Sequence, residues 1–188
     1  MQTVTLKLTS LTPLLMHNGR LANPLDPFAK DLKKLTGKRG KTDADIEEIG
    51  KREFYGGIYW NSDVGPHIPD MMTQRVIEEG AKKYKLGKAF KSAVFVEGDA
   101  TLEYGGPREV GELFEDKNFV HQSMVKIGTT KNLRVRPMFP KWSATVKVVF
   151  DESVVEEAQV IAAMESAGRF VGVGDWRPRY GRFAVQKI

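Results

Sequence analysis

The chain contains no cysteine among its 188 residues. That absence removes disulfides, thiolate metal ligands, iron–sulfur clusters and cysteine nucleophiles together. Histidine is scarce: His17, His67 and His121 are the three present, and no His-x-x-His or carboxylate-paired spacing joins them. No metal site and no cofactor is therefore expected. A Gly-x-Ser-x-Gly elbow is missing, which excludes an α/β-hydrolase nucleophile. No apolar run approaches the roughly 18–20 residues that span a bilayer, so no membrane association is expected. Met1–Lys7 alternates polar and apolar residues where a secretory signal would place a charged region before an apolar block. The expectation is a cytoplasmic protein.

What is present is a modest basic excess. Lys and Arg number 29 against 24 Asp and Glu, a net charge of +5, in a chain 41% hydrophobic and 28% charged. These values suit a folded chain, and the length suits one domain, 1–188. The charges are segregated. Lys126, Lys131, Arg134, Arg136 and Lys141 follow one another without an acid, and Arg169, Arg177, Arg179 and Arg182 meet only Asp175. Acids collect in 43–48 and 109–116. Such segregation produces a single-sign face if folding brings the basic segments together.

Alternation of Val4, Leu6 and Leu8 with Thr3, Thr5, Lys7 and Thr9 predicts a first strand with one buried face. Pro13 then marks a bend. The segment Asn18–Tyr55 reads as an insertion between core elements. It carries a short helix over Phe28–Leu35, a second over Thr42–Phe54 capped by Thr42 or Asp43, and a glycine-punctuated basic tip at Gly37–Lys41. A short strand is expected at Gly57–Trp60. A helix follows Pro69, with Met72, Val76, Ile77 and Ala81 on one face and Lys82 and Lys83 at its far end. Ala93–Glu97 and Ala100–Tyr104 read as a hairpin about Gly98-Asp99. Phe119–Ile127 and Arg134–Pro137 are further strands. The C-terminal unit is strand Ala144–Phe150, helix Ser153–Ala167 stopped by Gly168, and strand Arg182–Ile188. Residues 85–141 add strands and loops of unassigned role. The order β-α-β-β-α-β is that of the ferredoxin-like, RRM-like plait, an α+β fold with a helical insertion after its first strand.

The segment with the most chemistry is 172–183, Gly-Val-Gly-Asp-Trp-Arg-Pro-Arg-Tyr-Gly-Arg-Phe. Gly172 and Gly174 permit positive φ and close approach by a ligand. Arg177, Arg179 and Arg182 match phosphate geometry, while Trp176 and Tyr180 offer stacking faces. The loop follows a helix and precedes a strand, which is the reverse of a dinucleotide fingerprint or a P-loop. Arg134 and Arg136 alternate onto one face of an extended segment interleaved with Phe139 and Trp142, as on single-strand-binding surfaces. The competing reading of that segment is a strand edge guarded by charge and proline.

A glycine-rich, arginine-bearing loop before the last strand resembles the signature of the RAMP (repeat-associated mysterious protein) superfamily, the RRM-like proteins of CRISPR systems. The opening Leu6–Leu14 with His17-Asn18-Gly19 resembles that family's first strand and glycine turn. Gly65-Pro66-His67-Ile68-Pro69 is similar to its isoleucine–proline helix start, although Asp70-Met71-Met72-Thr73 follow where the family often has small residues and a Lys-Gly pair. The resemblance covers both ends and the first helix, about half of the chain.

The resemblance implies first a binding protein, one that grips the phosphates of single-stranded guide or target RNA. Its implied partners are copies of itself or other effector subunits, in an antiviral ribonucleoprotein. The segment 18–55 would then be a thumb-like insertion, and Arg20, Lys82 and Lys83 would add to the phosphate contacts. Two other readings stand beside it. One is a metal-independent endoribonuclease with His17 as general base and Arg20 or Lys30 stabilising developing charge; Asp26 belongs instead to the resemblance, in which some relatives cut target RNA with an acidic residue in the loop after the first strand. The other is a protein-interaction module that meets an acidic partner without nucleic acid.

Overall fold

The computed structural model describes residues 1–128 and 130–188, with the side chains of 127, 130 and 131 excepted, so the expected charge of Lys131 lies outside the described residues. The protein is α+β, with antiparallel sheets and six α-helices among the described residues. In chain order the elements are β1 (Gln2–Ser10), β2 (Leu14–Leu15), α1 (Pro27–Thr36), α2 (Asp43–Gly57), β3 (Trp60–Asn61), β4 (Gly65–Ile68), α3 (Asp70–Lys82) and α4 (Gly87–Ala93). There follow β5 (Val94–Glu97), β6 (Ala100–Glu103), α5 (Val110–Glu115), β7 (Val120–Ile127), β8 (Thr130–Phe139), β9 (Ser143–Phe150), α6 (Glu157–Phe170) and β10 (Phe183–Lys187). No helix among them is long and apolar enough to cross a membrane.

The chain divides into two compact units. The first comprises Met1–Leu14, Trp60–Gly105 and Pro140–Ile188; the second comprises Leu15–Tyr59 and Gly106–Phe139. The insertion expected at 18–55 thus lies wholly in the second unit, joined there by much of the segment 85–141 that the sequence leaves unassigned.

The first unit is built on a sheet in the order β10–β1–β9–β6–β4–β3, with β5 also paired to β9. Val4, Leu6 and Leu8 of β1 and Ala144, Val146, Val148 and Phe150 of β9 are all buried. The two strands align antiparallel over Gln2–Thr9 and Ser143–Phe150, so these side chains form one continuous apolar face. Helices α3 and α6 pack together at Gly80, where a Cβ would lie 2.1 Å from the Ala163 carbonyl. Removing the side chain is what lets the two backbones approach.

Three local expectations change here. Segments β5 and β6 are not a hairpin. Both run antiparallel to β9, β6 beside Ser143 and Ala144 and β5 beside Lys147–Phe150. Gly98, at φ +74°, and Asp99 kink one strand course, and the Asp99 carboxylate accepts the Asp70 N–H at the start of α3. Helix α6 begins four residues later than its apolar pattern suggests, because Asp151 turns back to bind the Ser153 N–H and hydroxyl. Gly168 does not stop α6: the helix runs on to Phe170, and the missing side chain admits the Phe183 carbonyl, 2.2 Å from where a Cβ would sit.

In the second unit, α2 opens with a reciprocal capping box between Thr42 and Asp45. It continues to Gly57, which displaces the strand expected at Gly57–Trp60 to β3. Phe54 is fully buried and meets Phe114 edge-on at 5.2 Å. The hairpin β7–β8 places Val135, Pro137 and Phe139 on its buried face. Helices α4 and α5 had no counterpart in the sequence reading.

Candidate nucleic-acid interface

The loop between α6 and β10 is held by its own backbone. The Val173 N–H donates to the Gly181 carbonyl at 2.9 Å, and the Gly181 N–H to the Pro13 carbonyl at 2.7 Å. The Arg182 carbonyl accepts from Leu11 and Thr12, and the Arg182 N–H donates to the Thr12 hydroxyl. This stitching requires glycine. Gly172 and Gly181 have φ of +75° and +73°, and a Cβ on Gly181 would lie 1.7 Å from the Val173 carbonyl. With the backbone satisfied internally, the side chains of Arg177, Arg179 and Arg182 are left exposed. Arg177 donates to the Gly172 carbonyl at 3.4 Å. Among the described residues, none of the three is paired with a carboxylate. Trp176 and Tyr180 are half-buried beside them, ring centroids 6.2 Å apart and inclined at 54°.

Of the two expected cations at the end of α3, Lys83 joins this surface, while the stem of Lys82 lies against Gly87. Lys82 and Lys83 are exposed, and the Lys83 ammonium sits 4.4 Å from the ring centroid of Phe170, the residue at which α6 ends and the loop begins. Phe170 is 61% exposed. An exposed aromatic at a helix end carries no periodic signal, and sequence reasoning missed it. The solvent face of the sheet is different in character. There Lys7 pairs with Glu103 at 3.4 Å and Lys147 with Glu97 at 2.7 Å. Ser143 and Lys7 hold the Glu103 carboxyl below its ordinary pKa. Positive charge on that face is neutralised, so the loop edge is the better surface for phosphate.

The remaining candidates belong to the second unit. His17 is exposed, and its carbonyl accepts from the Tyr59 hydroxyl. Asp26 caps α1: one carboxylate oxygen accepts the Phe28 N–H at 2.9 Å and the other the Arg20 Nε at 3.1 Å. Arg20 also lies over the Phe28 ring at 4.5 Å. Both residues therefore have structural work that accounts for their presence. Arg134 ion-pairs with Glu53, which is 5% exposed and also accepts the Val135 N–H at 2.9 Å. Arg136 shares one face of β8 with Arg134, across from His121 on β7, as alternation predicts; that face is half-buried, and one guanidinium nitrogen of Arg136 is shielded from solvent. Among the described residues no cluster of His, Asp and Glu is placed to hold a metal. No protein-family model matches the chain, and no curated protein sequence is significantly similar to it.

Proposed function

We propose that the chain binds single-stranded RNA through the loop 172–182, gripping phosphates with Arg177, Arg179 and Arg182 while Trp176 and Tyr180 stack on bases. The observation that carries this reading is the combination of a glycine-dependent, internally hydrogen-bonded loop with three exposed arginines, none of them ion-paired with a carboxylate among the described residues. A rigid backbone that projects unpaired guanidinium groups is pre-organised for phosphate. Lys83 extends the same positive surface.

The spatial order β10–β1–β9–β5, with chain order β1–α3–β5–β9–α6–β10, supports reading the first unit as a ferredoxin-like plait. That topology, the loop before the last strand and the helix start at Pro69 together favour a RAMP-like protein. In such a protein the chain would work beside copies of itself or other subunits in a CRISPR-type ribonucleoprotein, with the second unit as its elaboration.

The test is the salt dependence of affinity for a labelled oligouridylate. Phosphate neutralisation predicts a steep linear fall of log K with log salt, and replacing Arg177 and Arg179 by Ala should flatten the slope by about 0.7 per lost contact. A slope identical in the double variant would sink the loop assignment. Replacing His17 by Ala should leave binding intact.

A further inference from the structure

Beside the loop lies an open cleft of about 530 Å³. Its walls include Phe170, Trp176, Arg177, Glu79 and Asp175. Single exposed aromatics are ordinary on protein surfaces. Here the aromatic stands in a concavity, with a cation on one face of its ring and a second aromatic within the same walls. Lys83 stands over the Phe170 ring, and Phe170 lines the cleft.

The carboxylates are the informative part. A surface that holds phosphate gains nothing from two acids, since each repels the ligand. Glu79 extends from α3 with only about a third of its side chain exposed, and its nearest cation, the Arg75 Nε, stands at 3.8 Å, beyond hydrogen-bond reach. Its oxygens therefore keep acceptor capacity towards the cleft. An ionised carboxylate accepts two parallel N–H bonds best. Among the four bases, guanine alone presents an imino and an amino N–H side by side on its Watson–Crick edge. Adenine and cytosine present one amino group, and uracil one imino group between two repelling carbonyls.

We propose that this cleft seats one nucleobase against Phe170 and Trp176 and prefers guanine, read by Glu79 with Asp175 beside it, while the loop arginines hold the flanking phosphates. The inference rests on the RNA-binding reading of the loop. It adds a base preference to a grip that would otherwise be indifferent to sequence.

The test uses the full chain and labelled oligouridylates carrying one central guanine, adenine or cytosine, with free guanosine, adenosine, cytidine and uridine monophosphates as competitors. The expected result is about tenfold tighter binding of the guanine oligomer than of its all-uridine parent, as one bidentate contact provides. Guanosine monophosphate should compete best. Glu79→Gln should bring the guanine advantage close to unity without weakening the all-uridine parent, whose affinity should rise slightly as a repelling charge is lost, and Phe170→Ala should weaken every oligomer several-fold. Equal affinity for all bases with the salt slope intact would overturn the base site and leave the phosphate grip standing. A preference for another base would likewise overturn it. No binding of any oligomer at low salt would remove both readings. The competition by monophosphates on the unaltered chain needs no variant to fold.

Discussion

Two segments of this protein carry arginine interleaved with aromatics and proline, 134–142 and 176–183, and folding treats them in opposite ways. In the second unit, Arg134 is drawn onto the buried carboxylate of Glu53, and Arg20 onto Asp26, the cap of α1. In the first unit, the loop is held chiefly by backbone amides and carbonyls, and its one arginine side-chain bond, from Arg177 to the Gly172 carbonyl, is long at 3.4 Å. A charge near the protein interior has to be paired, because desolvating it alone costs several kcal/mol. A charge on a loop whose backbone is already satisfied stays available to a ligand. Cation density in a sequence therefore reports opportunity, and the nearest carboxylate decides availability.

The sharpest way to break the comparison is Gly181→Ala. A Cβ there collides with the Val173 carbonyl at a φ that alanine avoids. The loss should be on the order of 3–4 kcal/mol, read as a fall of about 10 °C in thermal unfolding together with loss of RNA binding. Next comes Glu53→Ala, which strands Arg134 and leaves the Val135 N–H without its carboxylate. It should cost about 3 kcal/mol, measured by urea unfolding, and pairing it as Glu53→Leu with Arg134→Met should recover much of that. Arg134→Met in that background should leave RNA affinity near its starting value, whereas Arg177→Ala should lower it without shifting unfolding by more than about 0.5 kcal/mol. A smaller effect is expected from Asp26→Ala, about 1 kcal/mol for a lost helix cap. Asp26→Asn, which can still cap, should cost a few tenths of that, and equal losses would mean that the ion pair to Arg20 dominates.

The smallest effect is a titration. The hydrogen bond from Lys38 first, then those from the Thr42 N–H and hydroxyl, lower the Asp45 carboxyl from 3.8 to about 2. A depressed carboxylate contributes stability that is complete above its unfolded value and is lost as pH falls through the folded one. The capping box should therefore persist through pH 3.8 and loosen as pH falls through about 2. Carbon-detected NMR of the Asp45 carboxyl should show the low midpoint, and Lys38→Ala should move it back towards 3.8.

Much of the local architecture was legible in the residue order. The alternation in β1, the strand at Ala144–Phe150, a cap for α2 at Thr42 and the helix start at Pro69 rest on short-range patterns, and the structure carries all of them. The turn at Gly98-Asp99 was misread because a glycine at positive φ serves a strand kink as well as a hairpin, and only the partner strand distinguishes them. Gly168 was misread for a related reason: as a helix stop it would act locally, but it answers to β10, which packs across it.

The sequence by itself determined the buried face of β1, the cap at the start of α2, the helix that follows Pro69, and that an arginine-rich glycine loop precedes the last strand, because each depends on neighbours within a few residues. The tertiary structure decided which cations remain available. Glu53 meets Arg134 across 81 residues of chain, and Lys83 reaches Phe170 because Gly80 lets α3 and α6 touch. No local pattern encodes those encounters, since their physical cause is packing between distant segments.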